Sequence, residues 1–94
     1  MEIKVGEGVW EQIDEDNYKL VSLTGVPTIL PRITYYVGIK KIFDCHVAGV
    51  SYCDKAFFYE PITQTCKTFA GAATWAQEKL LEIVNRYEKV LGNG

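Results

Sequence analysis

This chain is poor in the features that usually betray a function. It has three cysteines, three prolines, one histidine and one methionine in 94 residues. An odd, irregularly spaced set of cysteines argues against a disulfide framework and suits a reducing cytosol. Cys45, His46, Cys53 and Cys66 supply zinc-binding atoms, but there is no paired Cys-x-x-Cys. No apolar run is long enough to span a bilayer. No basic segment followed by an apolar core stands at the N-terminus, so no signal peptide is expected. The chain has no G-x-G-x-x-G, no phosphate-cradling loop ending in Lys-Ser/Thr and no H-E-x-x-H. These absences point away from an enzyme and from any metal or cofactor.

Charge is scarce in one sense only. The net charge is −2, but residues 1–16 carry Glu2, Glu7, Glu11, Asp14, Glu15 and Asp16 against Lys4 alone. Residues 17–43 carry Lys19, Arg32, Lys40 and Lys41 with no acid. Solvated turns and strand faces explain this distribution. The sharper reading is a weak polyanion contact through those four basic residues, with Tyr36, although nucleic-acid binders usually carry a denser basic footprint.

What is present is one long helical pattern. Phe69, Ala73, Ala76, Leu80, Ile83, Tyr87 and Leu91 recur at three- and four-residue spacing, with Ala72 and Val84 widening the stripe. Gln77, Glu78, Glu82, Asn85, Arg86 and Lys89 read as the far side, with Glu82 and Arg86 as an exposed pair. The spacing predicts a helix over about 70–91. Gly92 is the stop. Thr68 or the Thr74–Gln77 capping pattern is the start. At about 100° per residue, Trp75 and Leu81 fall about 120° to either side of the stripe. They either pack locally or form a contact surface on the outer side of the helix.

Before residue 69 the chain reads as short strands. Glu2–Val5 opens, and Val9–Ile13 and Tyr18–Leu23 form a hairpin around a four-residue acidic loop. Pro27 and Pro31 bracket an edge or bulged piece. Ile33–Ile39 is the clearest strand. Lys40-Lys41 is either a turn or part of a longer run that puts Ile42, Asp44 and His46 on one face. On that run Asp44 and His46 are the best acid–base candidate, with a surface ion pair the plainer explanation. Gly49 is expected to end this run. Tyr52–Glu60 follows, and Glu60–Thr63 reads as a turn.

The expected fold is α+β: one domain over 1–94, an antiparallel meander of four to five strands within 1–69 and one long C-terminal helix packed on one face. One helix covers one face of such a sheet, yet Tyr35 alternates with Tyr36, and Phe57, Phe58 and Tyr59 are consecutive. Large rings must therefore point away from the helix. Either turns and the N-terminal strand wrap the second face, or a partner covers it. A two-fold homodimer is the commonest such solution. Trp75, Leu81, Tyr36 and Phe58 are the candidate partner-binding residues.

Trp10-Glu11-Gln12-Ile13, an acidic turn, Tyr18-Lys19-Leu20, the Tyr35-Tyr36-Val37 strand, and Lys67-Thr68-Phe69 leading to Ala72, Trp75-Ala76 and Leu80 together resemble small bacteriophage and mobile-element proteins. Some anti-CRISPR and other anti-defence proteins share this outline. The strand-to-helix junction also resembles the arm-binding domain of phage integrases, but Ala70 and Gly71 stand where acids normally follow the phenylalanine, and the basic strands are missing. The resemblance implies a non-enzymatic, phage-encoded protein in the host cytoplasm that blocks or modulates a host protein by steric binding.

Overall fold

The computed structural model describes residues 1–26, 33–54 and 58–92, apart from the side chains of Ile33, Asp54, Phe58, Tyr59, Glu60 and residues 87–92. The elements run β1 (Glu2–Val5), β2 (Gly8–Gln12), β3 (Asn17–Leu23), β4 (Ile33–Ile42), β5 (Cys45–Asp54), β6 (Phe58–Cys66) and α1 (Phe69–Gly92). The six strands form one open antiparallel sheet in sequence order. The strand count is thus six, not four to five.

The extra strand comes from a turn that composition hides. Ile42 pairs with Cys45, so Phe43 and Asp44 form a two-residue hairpin loop. Phe43 carries a positive φ of 54°, a conformation normally left to glycine or asparagine. Lys40-Lys41 is therefore strand, and the run does not continue through Asp44 to His46. Gly49 does not end a strand but sits inside β5, opposite Gly38. The expected turn at Glu60–Thr63 is also strand. Val50 faces Ile62 and Tyr52 faces Tyr59, so Glu60 and Pro61 together oppose Ser51 in a bulge. A bulged edge strand is where a sheet tolerates proline.

A second bulge shapes β3. Val9 faces Ser22 and Trp10 faces Leu20, which leaves Val21 unpaired. That extra residue lets Leu20 and Leu23, three apart, both face the helix. The core lies between this face and α1: Trp10, Leu23, Val37, Ile39, Ala48, Val50, Ala72, Ala73, Ala76, Leu80, Ile83 and Val84 are buried. Buried Ala72, Ala73 and Ala76 lie in the first turns of the helix, which packs against β4, β5 and β6. Thr68 caps the helix, its Oγ1 accepting the Gly71 amide at 3.0 Å. The Thr74–Gln77 pattern is not used as a cap. The side chains of Tyr87 and Leu91 lie outside the described residues.

Gln77 corrects the assignment of the helix's far side. It is buried, and its Oε1 accepts the Trp10 indole N–H at 2.8 Å. A Cβ on Gly8 would overlap the Gln77 carboxamide. Glycine at position 8 therefore makes room for this buried polar pair. Glu82 pairs with Lys79 at 3.1 Å.

Candidate functional site: a glycine-floored groove on the open sheet face

Alternation along the strands sends the other set of side chains to the face without a helix. The ladder gives one row across that face: Glu11 beside Lys19, Lys19 beside Gly38, Gly38 beside Gly49, and Gly49 beside Thr63. Two adjacent strands therefore present no side chain at the same level. The result is a shallow, open groove of about 710 Å³ running across the strands. Tyr36 and Ser51 form one wall, and Lys40 and Val47 the other. Ile13, Asp14 and Asn17 close one end and Pro61 lies near the other.

The groove is largely apolar but has charge at one end. Tyr36 is 69% exposed, and Ile13 and Ile42 are exposed on the same face. Lys19 Nζ lies 3.7 Å from Glu11 Oε2, and both side chains are well solvated. Such a pair adds little stability and leaves the lysine free to exchange partners. Asp14 accepts the Asp16 amide, the Asn17 amide and the Asn17 carboxamide, each at 2.9 Å. The Asp16 amide and then the Asn17 side chain hold its carboxyl below the ordinary value, with Lys40 contributing a small further lowering. Asp14 is thus a fixed negative charge at the groove's end.

The two glycines differ in why they are there. A Cβ on Gly38 would lie 3.3 Å from the Tyr18 carbonyl oxygen, a tight contact that favours glycine where the strands approach. A Cβ on Gly49 would meet only the Thr63 Cγ2 at 3.8 Å, an ordinary contact. At the Cβ, Gly49 meets no clash that would require glycine.

The sequence candidates are scattered by the fold. Tyr36 walls the groove. The side chain of Phe58 lies outside the described residues. Trp75 and Leu81 are half-buried and pack against the core, which leaves only part of each to a partner. Of the basic set, Lys19 and Lys40 line the groove, Lys41 sits on the helix-facing side of β4, and Arg32 lies outside the described residues. The four do not share one surface.

Asp44 is exposed in the hairpin loop, whereas His46 faces the helix with its ring edge-on to Phe69 at 6.0 Å. The His46 Nδ1 is the buried side-chain atom without a hydrogen-bond partner among the described residues. Cys66 is its cross-strand neighbour on the same face, and Cys45 and Cys53 project from the open face. No group of three potential metal ligands gathers among the described residues. No described helix is long and apolar enough to cross a membrane.

The groove was missed in the sequence because it depends on register. Gly38 and Gly49 are eleven residues apart and become neighbours only once Phe43-Asp44 is known to be the turn. No protein-family model, curated protein or solved structure matches this chain.

Proposed function

We propose that this chain is a non-enzymatic protein-binding module and that the groove on its open face receives apolar side chains of a partner protein. The observation that carries this reading is Gly49. A glycine inside a central strand costs about 0.5–1 kcal/mol relative to a residue that fits the pleat. Here a Cβ has room, so a clash at that atom does not explain the cost. Leaving the position bare keeps the groove open between Tyr36 and Val47. Tyrosine beside an apolar floor is also a typical anchor of protein interfaces. The resemblance to bacteriophage anti-defence proteins would make the partner a host protein and the mode of action steric.

A photo-reactive phenylalanine analogue tests this when placed at Tyr36 and, as a control, at the exposed Glu78 on the outer side of α1. In cells of the source organism, the Tyr36 probe should capture a discrete protein that the Glu78 probe does not. Gly49→Val should abolish that capture while thermal stability holds. Capture unaffected by Gly49→Val would overturn the reading. Loss of capture by moderate salt together with recovered nucleic acid would instead favour Lys19 and Lys40 as phosphate contacts.

A further inference from the structure

The sheet is open, so it has two edges, and they are built differently. The β1 edge is four residues long and carries Glu2 and Lys4. A short, charged strand is the usual way to keep an edge from pairing with another chain. The β6 edge is nine residues long. Pro61, Ile62, Thr63, Gln64 and Thr65 are all exposed and none is charged. Pro61 and its bulge guard only one end. Beyond the bulge, alternate residues, Thr63 and Thr65, turn their backbone N–H and C=O groups away from β5, and no further described strand lies on that side.

We propose that β6 pairs with β6 of a second copy, antiparallel, about a two-fold axis through Thr63. Three observations fix this occupant and register. The uncharged run 61–65 opposes itself without like-charge repulsion, and Glu60 lies outside it, in the bulge. Residues directly opposite each other in an antiparallel ladder share a face, so the axis must pass through a residue and not between two. Thr63 is the middle of the uncharged run 61–65, and a threonine pair is a favourable cross-strand partner. In this register Ile62, exposed on the helix-facing side, gains Gln64 of the second copy as its neighbour.

The pairing also completes the groove, a consequence that rests on the protein-binding reading given above. The row runs Lys19, Gly38, Gly49, Thr63, with the two glycines bare between flanking side chains. With Thr63 on the axis, the row continues through the second copy's Thr63 into its glycine pair. Two short grooves become one trough crossing seven strand spacings, roughly 34 Å at about 4.8 Å each. Each trough end then carries Lys19 and Lys40. A single copy offers half of this surface.

Sedimentation equilibrium of the full chain tests the pairing. The wild type should sediment as twice 10.6 kDa. Thr63→Lys and Thr63→Glu each place like charges together on the axis, and each should weaken the dimer by up to about fivefold. Thr63 is exposed, so both variants should keep the wild-type circular dichroism. Mixed in equal amounts they should recover the dimer, because lysine then faces glutamate. A wild type that stays at 10.6 kDa overturns the proposal, as does a dimer that neither variant weakens. Gly49→Val separates the two readings: it should leave the dimer intact while blocking capture at Tyr36. A monomeric wild type whose capture is still lost on Gly49→Val would sink the pairing and spare the groove.

Discussion

Gly8 and Gly49 occupy the two faces of one sheet and lack a side chain for opposite reasons. Gly8 looks toward the helix, where the Gln77 carboxamide fills the space a Cβ would take. Gly49 looks toward solvent, where the nearest atom leaves ordinary contact distance. The first glycine is explained by folding alone. The second is not, and that difference separates a residue kept for the core from one kept for the surface.

The largest effect should come from the closed side. Gly8→Ala must push against a carboxamide that is itself held by the Trp10 indole, so it cannot swing aside without stranding a buried donor. Overpacking or loss of that bond should cost about 1–3 kcal/mol. Urea unfolding measures it. An unchanged midpoint would mean that Gln77 moves freely and that the two glycines are not different in kind.

Gly49→Val should do the reverse. It adds a strand-favouring residue where space exists, so stability should hold or rise by up to about 1 kcal/mol. A loss above about 1 kcal/mol would show that hidden crowding demands glycine there, and the argument from a bare surface would fall.

Part of this fold is legible in the sequence. The 3.6-residue repeat from Ala72 to Val84 marked the buried helical stripe, and the acidic loop placed the β2–β3 hairpin. Gln77 was misplaced although its position gave it away: four after Ala73 and three before Leu80, it lies on the stripe itself. A polar residue at that spacing signals a buried partner, and Trp10 supplies it. The strand count failed for a local reason. Turn chemistry looks for glycine or asparagine, and this hairpin turns on a phenylalanine. The bulged Pro61 failed likewise, since proline reads as a break unless an edge accommodates it. The groove needed both corrections before it could be seen.

Phe43 offers a third, smaller test of what the open side tolerates. It is 93% exposed and sits at φ 54°. Packing gives this ring no return for its strained backbone. Phe43→Gly should relieve about 1 kcal/mol of strain against a similar or smaller entropic cost in the unfolded chain. The net change in thermal midpoint should be zero or slightly upward. A clear drop would show that the ring contacts something in solution, a second copy or a bound partner, and dilution would tell whether that contact is intermolecular.

The smallest effect concerns the loop that closes the groove's end. Asp14 is exposed, yet its carboxylate gathers the Asp16 amide and the Asn17 amide and side chain. Those donors favour the charged form, so its folded-state pKa lies below the ordinary 3.8. A carboxyl depressed in this way contributes its full stabilisation above the unfolded value and loses it as pH falls through the folded one. The stability difference between the wild type and Asp14→Ala should therefore be level near neutrality. It should shrink only in acid below the ordinary carboxylate range. If the difference persists undiminished there, the loop is held by the shape of the side chain and not by its charge. The negative end of the groove would then add nothing to how the open face is organised.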